Sequence, residues 1–144
     1  MHRIFISSVQ KEFADERRAL KDYLHGDALL RRFFGVFLFE ELPASDRRAD
    51  AVYLDEVARC DIYLGLFGDE YGVEDAEGVS PTHREFLHAG RLGKPRLVFV
   101  KGADDAARHP KMRALIRQAG QELIRRRFVS MAELIGGVYA SLVR

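Results

Sequence analysis

Two segments that could carry chemistry follow one another near the middle of the chain. The apolar segment Ile62 to Phe67 runs into a glycine-punctuated loop, Gly68 to Gly72, and the segment Ser80 to Glu85 begins eight residues later. Glycines let a backbone turn sharply or approach a ligand closely, while a helix start offers free N–H groups. The spacing predicts a ligand site built from a strand end, a loop and a helix start that carries an acid.

Glu85 is the residue for which a specific reaction can be named. A carboxylate beside a ribose stabilises the positive charge that develops when the bond to a leaving base breaks. The structural alternative is a capping box with Thr82, three residues earlier. With Ser80 as the N-cap and Pro81 as the first helical residue, Glu85 lies too far into the helix to cap, and we favour this geometry.

Ser7 and Ser8 follow the first apolar segment of the chain. Either hydroxyl could bind phosphate or ribose at a helix N-terminus, where unpaired N–H groups favour anions. One of them could equally be the N-cap of the first helix, since Ser7 and Gln10 fit a capping box. Neither has a histidine in a recognisable base arrangement, so a serine nucleophile is not expected.

The loop that follows Phe67 contains one aromatic residue and several acidic residues. Tyr71 could stack on a base or a nicotinamide ring while Gly68 and Gly72 let the loop close, and an ordinary loop tyrosine is the alternative. Ser80 and Arg84 complete the candidate ligand-binding set. The loop acids disfavour a pyrophosphate unless a cation or Arg84 compensates them; they are Asp69, Glu70, Glu74, Asp75 and Glu77.

Alternating strand and helix patterns must position these residues. Apolar segments predict strands at Arg3 to Ile6, Gly35 to Phe39, Ile62 to Phe67, Arg96 to Val100 and Leu123 to Phe128. Helical periodicity and capping signals predict helices at Val9 to Leu24, Arg48 to Arg59, Pro81 to about Gly90, Pro110 to Ala119 with Gly120 as terminator, and Met131 to Leu142 after a Ser130/Glu133 box.

The strands are apolar on both faces, as in a parallel sheet that helices cover on both sides. We therefore predict an α/β fold with a doubly wound, five-stranded parallel sheet, flavodoxin-like, in the order 2-1-3-4-5. Ligands in such folds bind outside the carboxyl ends of strands one and three. This rule gathers Ser7, Ser8, the glycine loop and the third helix start around one opening.

Composition limits the partners. The 144 residues predict one domain spanning 1–144, and 23 basic against 22 acidic residues give no overall field for nucleic acid or membrane. Cys60 is the only cysteine, and we interpret it as a small buried hydrophobic residue. A single cysteine fits a cytoplasmic protein. No metal site is expected. Asp15, Glu16 and Arg17 read as a solvated helix face, with pairing of Arg17 to Asp61 or to another nearby carboxylate as the alternative.

Several motifs together resemble a known family. They are Ile4 to Ser8, Phe13 to Arg17, Cys60 to Gly72, Ser80 to Phe86 with Ala89, and Gly93 to Val100. In this order they resemble the family called domain of unknown function 4062, which is related to Toll/interleukin-1 receptor (TIR) domains and, more distantly, to nucleoside deoxyribosyltransferases. Family members commonly carry threonine after the two serines, where this chain has Val9.

The resemblance implies an N-terminal module of a longer regulatory or defence protein, next to nucleotide-hydrolysing or DNA-binding domains. It also implies that Glu85 falls where TIR enzymes place the glutamate that assists cleavage of the N-glycosidic bond of NAD. NAD or a related nucleotide would then be the ligand, with no separate cofactor. A catalytically silent adaptor that self-associates or docks other domains, and a deoxyribosyltransferase-like enzyme, remain open alternatives.

Overall fold

The computed structural model describes all 144 residues. Side chains from the two faces of the central strands form two separate hydrophobic cores. Five parallel strands form one sheet in the order β2-β1-β3-β4-β5, as predicted. The elements in chain order are β1 (His2–Ser7), α1 (Ala14–Gly26), β2 (Phe34–Phe37), α2 (Ala49–Arg59), β3 (Ile62–Phe67), α3 (Pro81–Arg91), β4 (Arg96–Lys101), α4 (Pro110–Glu122), β5 (Arg126–Phe128) and α5 (Met131–Leu142).

Side chains on strand β3 show how the two cores divide. Leu64 and Leu66 face the core shared with α1 and α5, whereas Tyr63 and Phe67 face the core shared with α2, α3 and α4. This alternation follows from the two-residue period of a strand whose two faces are both covered by helices. Gly65 falls on the second face, directly beside Ser7 of β1 in the strand register.

Helix α3 begins as its sequence predicts. Ser80 is the N-cap, and its side chain accepts a hydrogen bond of 3.2 Å from the backbone N–H of His83, with Pro81 as the first helical residue. Helix α5 likewise has the predicted capping box between Ser130 and Glu133. Glu85 therefore lies beyond the cap and is free for another role. None of the helices combines the length and hydrophobicity needed to cross a membrane.

Two predicted helix boundaries are wrong. Helix α1 begins at Ala14 after a turn, with Phe13 at its N-cap and no side-chain cap, so neither serine caps it. Phe13 is fully buried, and Ser7 is the last residue of β1, so packing rather than capping sets this helix start. Helix α4 continues through Gly120 to Glu122, because a single glycine only weakens a helix that its other residues hold in place.

Candidate functional site

Glu85 lies inside the protein at the carboxyl end of the sheet. The side chain projects from the second turn of α3, and the residue is 7% exposed. Ser7 Oγ, at the end of β1, donates a hydrogen bond of 2.6 Å to Glu85 Oε1. No other protein hydrogen bond reaches the carboxyl group, so Oε2 has no protein donor. One oxygen is thus fixed while the other can meet a ligand.

Burial dominates the electrostatics of Glu85. It raises the pKa of the Glu85 carboxyl to about 8, although the Ser7 hydrogen bond and the charge of Arg17 act in the opposite direction. A desolvated carboxyl avoids ionisation because its charge has lost the stabilisation that water provides. Near neutral pH the ligand-free protein therefore holds this group mainly in its neutral form.

A cavity of about 250 Å³, which we call the Glu85 cavity, opens beside this carboxyl group. Phe39 and Tyr53 supply its aromatic wall, with ring centroids 6.3 Å apart in an edge-to-face arrangement. Two more open hollows, of about 520 and 420 Å³, border it and share Ala49 in their linings. The full lining consists of Ser8, Val9, Gln10, Phe39, Ala49, Tyr53, Gly72, Pro81, Thr82 and Glu85.

Arg17 supports the cavity from behind: it is buried rather than solvated, and its partner is a carboxylate other than Asp61. Glu16 is also buried rather than solvated, and it pairs with Lys101 at 2.6 Å. The Arg17 side chain is 2% exposed and makes a bidentate pair with Glu40, at 2.8 and 2.7 Å. The same guanidinium donates to Ser8 Oγ at 2.9 Å and to the carbonyl of Ile6 at 3.0 Å. The planar fork of arginine thus joins the end of β1 to the turn after β2.

The chain matches a known protein family over almost its whole length. The family model described as "Domain of unknown function (DUF4062)" matches residues 3–143. The chain belongs to this family. The solved structure of Clostridium botulinum CMP N-glycosidase, BcmB, is similar over 99% of each chain, with 15% identity and a TM-score of 0.59, which shows a shared fold. A comparison with curated proteins gives no match.

In this DUF4062 domain, Ser7, Ser8, Gly72 and Glu85 come together. Ser8 and Gly72 line the Glu85 cavity, and Ser7 bonds to the carboxyl itself. Gly72 has a φ of +96°, a conformation that glycine adopts without strain. Ser80 is fully buried as the helix cap, and it packs behind Gly72 rather than lining the cavity.

Gly68, another residue of the predicted ligand-binding set, does not line the Glu85 cavity. The carboxylate of Glu12 lies where a Gly68 side chain would stand, and it accepts backbone hydrogen bonds from Asp69 at 2.7 Å and Glu70 at 3.3 Å. Burial raises the pKa of Glu12, and these two bonds act to lower it. The missing Cβ at Gly68 gives room to this clamp on the loop.

Tyr71 and Arg84 also lie outside the cavity lining. Tyr71 is 2% exposed, its hydroxyl lies 2.7 Å from His83 Nδ1, and its ring stacks on His109 at 5.4 Å. Arg84 pairs with Asp75 at 2.6 Å and with Glu77 at 3.0 Å. The tyrosine anchors the loop in the core, and the arginine neutralises part of the acidic loop.

Sequence reasoning missed the aromatic wall. Tyr53 is 8% exposed on α2, four residues before the buried Val57, so helical spacing could have placed it on the inner face. Phe39 follows β2 in a short 3₁₀ turn, where periodicity carries no signal. Val9, noted only for the hydroxyl it lacks, contributes an apolar part of the wall.

Proposed function

We propose that this domain is a nucleotide N-glycosidase, which binds NAD or a related nucleotide in the Glu85 cavity and cleaves the bond between ribose and base. One observation carries the proposal: a buried glutamate with one unbonded oxygen lines a cavity at the point where the winding of the sheet reverses. The fold shared with a CMP N-glycosidase supports the same class of reaction.

The proposed chemistry needs one carboxylate. As the bond between C1′ and the base nitrogen breaks, its electron pair leaves with the base and positive charge develops at C1′. The ionised Glu85 stabilises that charge, and water then adds to C1′ with loss of a proton. Nicotinamide leaves NAD as a neutral molecule, so it needs no acid, whereas cytosine leaving CMP must take up the proton that the water releases. Glu85 is the only carboxyl group in the cavity lining.

Charge around the crevice is compatible with this ligand class. The acidic loop is largely neutralised internally, because Arg84 pairs with Asp75 and Glu77 while Lys111 pairs with Glu74. A cationic nicotinamide ring near Glu85 would favour the ionised carboxylate. The cavity is at the small end for a ligand site, so it suits a ribose with its base, and the two more open hollows would take the rest of a dinucleotide.

The test is product release from NAD and from CMP by the purified domain, measured by chromatography of free nicotinamide and free cytosine. Glu85→Gln should reduce release to background, because an amide cannot carry the stabilising charge. Glu122→Gln, an exposed glutamate at the end of α4, is the matched control and should behave as wild type. Equal background release by all three proteins with both substrates, and with a deoxynucleoside, would remove the enzymatic proposal.

A second candidate function, a docking module, is favoured by an apolar patch at the opposite end of the sheet. Leu29, Phe33 and Val143 are 57%, 51% and 50% exposed there, around a hollow of about 250 Å³. Clustered exposed apolar residues of this kind are typical of interaction surfaces. Light scattering over a concentration series should show self-association that Phe33→Asp weakens; a strict monomer at every concentration would count against it.

A further inference from the structure

The hydroxyl group of one buried tyrosine lacks a hydrogen-bond partner. The hydroxyl of Tyr63, on β3, is fully buried and makes no hydrogen bond. Buried hydroxyls are nearly always bonded, and an unbonded one is costly to retain. A phenylalanine would fill the same volume without that cost, so the hydroxyl calls for a functional explanation.

The Tyr63 hydroxyl lies next to the Ser7 and Glu85 pair. It is 3.0 Å from the position that a Cβ on Gly65 would occupy, and Gly65 is the cross-strand partner of Ser7. Burial raises the pKa of Tyr63 strongly, the neighbouring Ser7 hydroxyl acts to lower it and the charge of Glu85 acts to raise it, so both groups lie near the Tyr63 hydroxyl. The absence of a side chain at Gly65 leaves room for the Tyr63 hydroxyl and the edge of the Phe67 ring.

The proton positions fix the direction in which a hydrogen bond between Tyr63 and Ser7 can run. Ser7 gives its only proton to Glu85, and its oxygen retains acceptor capacity. A hydroxyl that donates to an ionised carboxylate becomes a better acceptor, because hydrogen bonds in a chain polarise one another. A hydrogen bond from the Tyr63 hydroxyl to Ser7 Oγ is therefore stronger when Glu85 is charged than when it is neutral.

We propose that Tyr63 is a positioning residue: its hydroxyl turns to donate to Ser7 Oγ when Glu85 ionises, so that a two-bond chain holds the carboxylate at the cavity wall. The importance of this chain for turnover rests on the proposed N-glycosidase function. The chain itself is a property of the ligand-free protein. The other charged or titratable groups that act on Glu85 or respond to it are Arg17 from α1 and Tyr53 from α2.

Tyr63→Phe tests the chain directly. This variant keeps the edge-to-face contact with Phe86, at 6.1 Å between centroids, and removes an unbonded polar atom, so the fold should persist. A ¹³C NMR titration of glutamate-labelled protein, with the Glu85 signal assigned by its loss in Glu85→Gln, should show the pKa of Glu85 raised by roughly 0.5 to 1. Tyr23→Phe, a half-buried tyrosine of α1 against the other core, is the matched control and should leave that pKa unchanged.

The kinetic consequence is a separate measurement. At pH 7 the ionised fraction of Glu85 in ligand-free Tyr63→Phe should fall roughly 3- to 10-fold, and kcat/KM should fall with it. An unchanged Glu85 pKa in Tyr63→Phe overturns the chain, even if NAD or CMP is cleaved. A raised pKa in a protein that cleaves neither substrate supports the chain and removes the proposed function instead.

Discussion

The buried Glu85 carboxyl should make the stability of this protein fall as pH rises, and Glu85→Gln should remove that dependence. An ordinary glutamate titrates near 4.5, whereas burial raises the pKa of Glu85 to about 8 in the folded protein. Between these values the folded state keeps a proton that the unfolded chain has released. Stability from this group is complete below pH 4.5 and is lost as pH rises through 8.

The size of the effect follows from the two pKa values. The full separation corresponds to about 5 kcal/mol of unfolding free energy. Between pH 6 and pH 9, where much of the titration lies, the wild type should lose about 2.5 kcal/mol of unfolding free energy relative to Glu85→Gln. Groups that titrate in both proteins cancel from this difference, which isolates Glu85.

Urea unfolding at pH 6 and pH 9, followed by circular dichroism, measures the change. Glu122→Gln serves as the control: Glu122 is exposed, hydrogen bonds from Gln118 and Arg96 lower its pKa, and it stays ionised across this range in both states. Its unfolding free energy should therefore keep a constant offset from wild type. Parallel curves for wild type and Glu85→Gln would show that Glu85 is already ionised at pH 6, and the buried, weakly paired carboxyl described here would be refuted.

Three further predictions concern the surroundings of the site. Gly65→Ala should cost about 1 to 3 kcal/mol in urea unfolding, since the new Cβ would stand 3.0 Å from the Tyr63 ring and hydroxyl; an unchanged midpoint would contradict this packing. Arg17→Met should lower the unfolding free energy by about 3 kcal/mol, whereas Arg18→Met, at the exposed neighbouring position, should leave it almost unchanged. Equal losses in the two variants would contradict the buried role of Arg17. Burial raises the pKa of Cys60 to about 11, so a thiol reagent should label it only in urea, and labelling of the native protein would count against its burial.

Sequence patterns predict the scaffold well because they act locally. Apolar strands, the Ser80 and Pro81 start of α3 and the Ser130 box each depend on neighbours within four residues, and the structure confirms them. The order of the strands also follows from general topology rules. The rule that ligands bind where the winding reverses then selects the end of the sheet at which Glu85 lies.

The supporting shell of the site could not be predicted in this way. Arg17 shares a helix turn with exposed charges, and only its contacts with Ser8, Ile6 and Glu40, from nine to 23 positions away in sequence, explain its burial. Tyr71 is an aromatic residue in a glycine-containing loop, which is typical of a ligand-binding residue, yet its contacts with His83 and His109 hold it in the core. Such long-range partners leave no periodic signal in a single sequence.

The neutral form of Glu85 connects stability to the proposed chemistry. A carboxyl group paired tightly with an arginine would ionise readily, and its charge would already be satisfied before a sugar cation formed. Arg17 instead donates two hydrogen bonds to Glu40, so Glu85 has only the Ser7 donor and keeps one unbonded oxygen. Ionisation is then costly in the empty cavity and favoured once positive charge lies beside Oε2. In the proposed reaction, the interaction would be strongest as charge develops on the ribose, which is the condition for lowering a barrier rather than merely binding a substrate.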